Sequence, residues 1–159
     1  MFRYVRILAI ASIAALLLLD PLQAASKPRP FKGHVTASWD NVFNGLFNPP
    51  ANFAGGGPVT HMGETTQTGT LILGAPDESG LFPGIGTVTI TAANGDQVSF
   101  DYFGTLNPFT GEGIGEFVFT SGTGRFANVS GTGTFYALID TSLPENQPMT
   151  VLLDGAISY

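Results

Sequence analysis

Apolar and polar residues alternate along much of the chain from residue 31 onward. In residues 31–39 every odd position is apolar or glycine, whereas the even positions hold Lys, His, Thr and Ser. The same period of two recurs in residues 87–93, 96–106 and 149–159. This period is typical of a half-buried β-strand. No helical period follows residue 30, so the pattern predicts an all-β chain.

Turn residues separate these strands at short intervals. Asn94-Gly95 is the strongest hairpin signal in the chain. Residues 44–58 contain two adjacent prolines and three consecutive glycines, which predict a long irregular loop. Phe43, Phe47 and Phe53 indicate that part of this loop packs back over one end of the fold. Further turns are predicted at residues 75–84, 107–113 and 142–148.

The strand count favours a single antiparallel up-and-down β-barrel of about eight strands. Consecutive hairpins suit this topology, and a closed barrel leaves no strand edge unpaired. A β-sandwich is the alternative. An outer-membrane barrel is a third interpretation, because the chain ends in an aromatic residue after alternating apolar positions. Such barrels need aromatic girdles and strands of about nine to eleven residues, and this chain has one Trp and several shorter predicted strands.

The first 24 residues have the composition of a secretory signal peptide. Arg3 and Arg6 precede an apolar run at residues 7–19, which is shorter than the roughly twenty residues that span a bilayer. Small residues around Ala24 offer a cleavage site. We therefore expect a secreted or periplasmic protein without stable membrane insertion after cleavage. The expected organisation is a signal-peptide helix at 1–24, a linker at 25–30 and a β-barrel domain at 31–159.

Charge and cysteine content exclude several functions. The net charge is −6, and Arg125 is the only Lys or Arg after Lys32. Nucleic acid is therefore not an expected partner, since phosphate neutralisation needs several basic residues. The chain has no cysteine, so an exported domain of this size must be stabilised by its core. It also lacks phosphate-loop, dinucleotide-binding and nucleophile-elbow motifs, so no cofactor is expected.

A glycine-rich repeat occupies residues 121–135. Its two near-copies read SGTGRF and SGTGTF and start nine residues apart. Glycine at every second position permits sharp turns and close approach of two backbones. The repeat therefore predicts a hairpin or a barrel corner, with the closing phenylalanines as apolar anchors.

Three stretches carry a resemblance to known proteins: THMG at residues 60–63, TAANGDQ at 91–97, and GTGRF at 122–126 with its repeat at 130–135. Together they resemble a group of exported bacterial proteins. Their GTGRF hairpin is similar to that of the allene oxide cyclase and dirigent β-barrel superfamily. The resemblance implies that superfamily's barrel, homo-oligomers, and a cavity that binds an apolar reactive intermediate and steers its cyclisation or coupling. The matched residues are turns and strand ends, and none corresponds to a catalytic residue of the superfamily.

Arg125 is one candidate site residue. Its guanidinium suits a bound carboxylate or a polarised substrate oxygen. The favoured alternative is a structural salt bridge to Glu112, Glu116 or Asp101, because a planar guanidinium fork suits a fixed carboxylate beside a tight turn.

His61 is the second candidate, with Glu64 or Asp101 as its partner in general-base chemistry. The alternative is that His34 and His61 are ordinary polar strand residues. A metal site needs three or more convergent ligands, and no such spacing is present, so no metal is expected.

The predicted function is the binding of a small apolar ligand in the barrel cavity. The alternatives are an isomerase or cyclase of the allene oxide cyclase type, using Arg125, His61, Glu64 or Asp101, and a non-catalytic structural or surface protein. A cavity lined by two or more titratable groups would favour the enzyme. An apolar cavity would favour the binding protein, and a filled barrel would favour the structural role.

Overall fold

The computed structural model describes residues 26–47 and 50–159 and shows eight antiparallel strands closed into a barrel. Each strand pairs with its neighbours in sequence, and the first pairs with the last. The strands are β1 Arg29–Trp39, β2 Ala51–Val59, β3 Gly63–Leu73, β4 Phe82–Ala92, β5 Gln97–Leu106, β6 Glu112–Gly122, β7 Ser130–Ile139 and β8 Gln147–Ser158. The predicted up-and-down barrel is thus confirmed, whereas the predicted signal-peptide helix lies outside the described residues.

Two short helical segments interrupt the strands. Helix α1 spans Asn44–Phe47 between β1 and β2, and a 3-10 turn spans Gly124–Phe126 between β6 and β7. Within the described ranges, no helix is long and apolar enough to cross a membrane. The glycine-rich repeat forms the predicted hairpin between β6 and β7, and the 3-10 turn lies at its tip.

The inward face of the barrel carries the core. Phe31, Phe100, Phe117 and Phe119 form one aromatic cluster, with ring centroids 4.7 to 5.9 Å apart. All four are at most 6% exposed. The alternation read from residues 31–39 is confirmed, because the odd positions turn inward there. This cluster fills the half of the barrel nearer the glycine-rich hairpin.

Inward-facing glycines make room for these rings. Four aromatic residues lie directly opposite a glycine on the neighbouring strand: Phe53 opposite Gly69, Tyr102 opposite Gly86, Phe117 opposite Gly133 and Phe135 opposite Gly115. A Cβ atom at Gly133 would lie 2.7 Å from Cε1 of Phe117, and one at Gly115 would lie 2.7 Å from Cε1 of Phe135. The ring occupies the space that a side chain would need and covers the bare strand.

The predicted irregular loop at residues 44–58 is wrong over its second half, which forms β2. The glycines that argued against regular structure are required by it. A Cβ at Gly55 would overlap the carbonyl oxygen of Thr36, and one at Gly56 would overlap that of Thr65. Glycine here allows β2 to lie close between β1 and β3, rather than breaking the strand.

The two ends of the barrel differ. At the end that carries the glycine-rich hairpin, Phe126 is fully buried and its ring lies 4.7 Å from that of Tyr159. At the other end, Val42 is buried and Phe43 packs 6.3 Å from the ring of Phe82. Phe43 therefore packs back over this end as predicted. The side chain of Phe47 lies outside what the structure describes.

Candidate ligand-binding cavity

A cavity of about 80 Å³ lies inside the barrel toward the end where Phe43 packs against Phe82. It reaches from the level of Leu73, Leu106 and Ile139 at the mouth to Phe100, a member of the aromatic cluster. It exists because glycines replace side chains on the inward face, including Gly113 of β6. The distribution of glycines and large rings along the inward faces thus produces a closed end and a hollow end in one barrel.

The lining of the cavity is mainly apolar. It includes Trp39, Phe53, Leu71, Leu106, Ile139 and Met149. The indole N–H of Trp39 donates a hydrogen bond of 3.0 Å to the sulfur of Met149, so that donor is already occupied. Polar groups come from Gln67, Tyr102 and Thr105, and no Asp, Glu, His, Lys or Arg is among the described lining residues.

Tyr102 is the one ordinarily titratable side chain that the described lining contains. Its ring crosses Gly86 on β4, and its hydroxyl donates a hydrogen bond of 2.7 Å to the backbone carbonyl oxygen of Thr70 on β3. Burial raises the pKa of the Tyr102 phenol well above its ordinary value of 10.0, because the phenolate loses its solvation. Tyr102 is therefore neutral at physiological pH, and its hydroxyl proton is used in the hydrogen bond to the Thr70 carbonyl oxygen.

The free energy of unfolding is expected to fall as the pH rises above about 10. The Tyr102 phenol stays protonated in the folded barrel but ionises in the unfolded chain, so the unfolded state binds fewer protons. Urea unfolding across this pH range measures the slope. The side-chain hydrogen bond to Glu112 also raises the pKa of exposed Tyr136, so Tyr102→Phe is the necessary comparison. An equal slope in Tyr102→Phe would contradict the prediction.

Arg125 and His61 meet at the closed end of the barrel, opposite the cavity. The Arg125 guanidinium donates to the backbone carbonyl oxygen of His61, and its Nε lies 3.8 Å from Oδ2 of Asp96. The His61 ring makes a 2.9 Å hydrogen bond with the carbonyl oxygen of Pro30. The salt-bridge interpretation of Arg125 is therefore correct in kind but wrong in partner, since Asp96 follows the Asn94-Gly95 turn that packs beside the glycine-rich hairpin.

Glu64 and Asp101 lie elsewhere on the outer surface. Glu64 is exposed near the start of β3, opposite Pro58. Asp101 is exposed in the middle of β5, between Thr87 and Val118 on the neighbouring strands. None of the four candidates predicted from the sequence borders the cavity, and no group of three or more His, Asp or Glu within the described residues is arranged to hold a metal ion.

The alternation of β5 predicts Tyr102 on the inward face with Val98 and Phe100, whereas Gln67 is not among the candidates predicted from the sequence. A signal for Gln67 exists in the alternation of β3, where it shares the inward face with Leu71 and Leu73. A polar residue in an apolar series is a departure that marks a site. Thr-rich neighbours on both sides obscured it.

No protein family and no curated protein matches the sequence. Two pterocarpan synthase dirigent proteins are among the solved structures that are similar to it. The pterocarpan synthase dirigent protein PsPTS1 is 15% identical with a TM-score of 0.52, over 85% of this chain and 97% of that chain. The pterocarpan synthase dirigent protein GePTS1 is 11% identical with a TM-score of 0.45, over 84% and 87%. At 15% identity the likeness to PsPTS1 concerns the fold alone, and it shows that the chain forms a dirigent-like β-barrel.

Proposed function

We propose that the protein binds a small apolar ligand in the barrel cavity. The observation that carries the proposal is the lining, which is apolar and contains no side chain that is charged at neutral pH among the described residues. Apolar pockets with a few polar groups are the usual form of small-molecule sites. The dirigent-like fold supports the proposal only as a scaffold, because one fold hosts many functions.

The same lining favours binding over catalysis. General acid–base chemistry needs a group whose pKa lies near the working pH. None of the four candidates predicted from the sequence, Arg125, His61, Glu64 and Asp101, lines the cavity. Tyr102 does line it, but its hydroxyl donates its hydrogen bond to the backbone carbonyl oxygen of Thr70. An isomerase or cyclase would need such a group beside the ligand, and a purely structural barrel would have no reason to leave this space unfilled.

The size of the cavity limits the ligand. About 80 Å³ exceeds the roughly 10–15 Å³ that one water molecule needs. It falls below the roughly 300–1,000 Å³ of common ligand pockets. The ligand is therefore expected to be a narrow molecule.

The expected location and partners extend this proposal. Export through the segment 1–24 would place the barrel in the periplasm or outside the cell, where apolar molecules need carriers. A homo-oligomer is compatible with the exposed apolar residues of the outer wall, which include Ile85, Phe103 and Ile114. The acidic charge argues against nucleic acid as a partner.

Filling the cavity is expected to weaken binding without unfolding the barrel. A Cβ at Gly113 would lie 3.5 Å from that of Ala137, an ordinary contact, so Gly113→Leu directs its side chain into free space. Native mass spectrometry of protein from its host identifies retained molecules, and calorimetry with n-hexane, toluene and n-hexanol measures affinity. We expect Gly113→Leu to lose at least about tenfold, equivalent to roughly 1.4 kcal/mol.

Thr134→Leu is the matched control, because Thr134 is exposed on the outer wall of β7. It adds a leucine of the same size outside the cavity and should bind as the unmodified protein does. A protein that retains no molecule and binds none of the three probes would overturn the proposal and favour the structural role.

A further inference from the structure

Gln67 is a buried amide that faces the cavity. It is 5% exposed and lines the cavity from β3. Among the lining residues of β3 it lies farthest from the mouth, four residues before Leu71 on the same face of the strand. Its cross-strand neighbours are Gly55 and Ile90, so no polar side chain stands directly opposite it.

The hydrogen-bonding capacity of Gln67 is largely unused. Its Nε2 lies 3.5 Å from Oγ1 of Thr65, at the limit of a hydrogen bond in which Nε2 donates. Among the described residues no other hydrogen bond reaches the carboxamide. Among the described residues, no fully buried side-chain nitrogen or oxygen lacks a hydrogen-bond partner. The Gln67 Oε1 accepts no hydrogen bond there, so this atom is accessible, and the space that Gln67 lines is the cavity.

Gln147 shows what a structural buried amide looks like in the same barrel. It is 1% exposed, and both ends of its carboxamide are used. Its Oε1 accepts a 2.7 Å hydrogen bond from the Val42 backbone N–H, and its Nε2 donates a 2.7 Å hydrogen bond to the Leu143 carbonyl oxygen. Gln147 therefore holds two mouth segments together, whereas Gln67 leaves a donor and an acceptor for something else.

We propose that Gln67 recognises a single uncharged hydroxyl or carbonyl group at the inner end of an otherwise apolar ligand. This inference rests on the proposed function and specifies its ligand class. A carboxamide offers both donor and acceptor, so it pairs with an alcohol, a phenol or a ketone at the floor of the cavity. The apolar body of the ligand then contacts Leu71, Leu106 and Met149 toward the mouth.

The charge of the lining separates this class from fatty-acid anions. An ionised carboxylate buried at Gln67 would need a cation, and the lining holds none. Arg125 lies outside the cavity, where its guanidinium contacts Asp96 and the carbonyl oxygen of His61. Burial of an unpaired charge is strongly unfavourable, whereas a neutral polar group needs only its hydrogen bonds. Selection against anions is therefore built into the site.

The test is a matched series of n-hexanol, n-hexane and hexanoate at neutral pH, measured by calorimetry on the unmodified protein and on Gln67→Leu. The unmodified protein should bind n-hexanol at least about tenfold more tightly than hexanoate. Gln67→Leu should weaken n-hexanol at least about tenfold and leave n-hexane unchanged or tighter, because the leucine replaces a carboxamide of similar size. The side-chain NH₂ resonances of Gln67 should shift with n-hexanol and not with n-hexane.

Gln147→Leu is the structural control, expected to lower stability while the preference for n-hexanol persists. If n-hexane and n-hexanol both bind but Gln67→Leu changes neither, the recognition role of Gln67 is overturned and the apolar cavity stands. If hexanoate binds as tightly as n-hexanol, the ligand class is overturned. If nothing binds, the proposed function itself fails. Should Gln67→Leu not fold, the ligand preference and NH₂ shifts of the unmodified protein decide the matter.

Discussion

Replacing Phe117 by alanine is expected to lower the free energy of unfolding by about 3–5 kcal/mol. Phe117 is fully buried at the centre of the aromatic cluster, where its ring lies 5.9 Å from Phe31, 4.7 Å from Phe100 and 5.5 Å from Phe119. Removal of the ring loses its apolar burial and leaves a cavity that the rigid barrel wall cannot close. Urea unfolding followed by tryptophan fluorescence and circular dichroism measures the change.

Phe109→Ala is the control for this substitution. Phe109 is 87% exposed in the turn between β5 and β6, so removal of its ring should change stability by no more than about 0.5 kcal/mol. Equal losses in the two variants would show that the aromatic cluster is not the stabilising core of the barrel.

The fold was largely predictable because the strands are half-buried and joined by short turns. Residues 31–39 alternate with a strict period of two, and the structure buries Phe31, Val35 and Trp39 as expected. Asn94-Gly95 forms the predicted turn between β4 and β5. Local chemistry therefore determined the strand faces and the hairpin topology, whereas the pairing of β1 with β8 that closes the barrel is a finding of the structure.

Strand β2 could not be predicted, because its determinants are not local. The run Gly55-Gly56-Gly57 reads as a flexible segment, yet each glycine faces a neighbouring backbone. Its suitability for a strand depends on Thr36 and Thr65, which lie many residues away in sequence. A run of glycines occurs both in flexible loops and in closely packed strands, so only the tertiary contacts of Gly55 and Gly56 distinguish a strand from a loop here.

The site was less predictable than the fold, for a related reason. The candidates predicted from the sequence are charged or titratable residues: Arg125, His61, Glu64 and Asp101. The alternation of apolar and polar positions does not show which end of the barrel is hollow, so it does not show which residues line the cavity. The cavity depends on where glycines such as Gly113 leave space and where rings such as Phe117 fill it. Whether a given level of the barrel is filled or hollow depends on side chains from four or more strands. These side chains are far apart in the sequence, so the sequence alone does not show which of them meet.

The pairing of glycine with aromatic rings leads to the second large expected effect. Gly133→Ala should lower the free energy of unfolding by about 1–3 kcal/mol, because it overpacks a filled site. The new Cβ would lie 2.7 Å from Cε1 of Phe117 and 2.5 Å from the carbonyl oxygen of Asp154, a backbone atom that cannot rotate away. The Phe117 ring or strand β8 must shift, and chemical denaturation of the variant measures the cost.

Gly113→Ala is the matched opposite, since Gly113 also points inward from a strand but faces cavity space. There the substitution should be neutral or stabilising by about 0.4–1 kcal/mol, because alanine restricts the unfolded chain more than glycine does. The sign difference between two glycines of the same barrel identifies the filled space around Gly133, which holds the Phe117 ring and the Asp154 carbonyl oxygen, as the cause. The double variant Gly133→Ala with Phe117→Leu should recover part of the loss, because the shorter side chain vacates the position of Cε1. Equal effects at Gly113 and Gly133 would mean that glycine serves both positions through backbone flexibility and not through the space it leaves for Phe117.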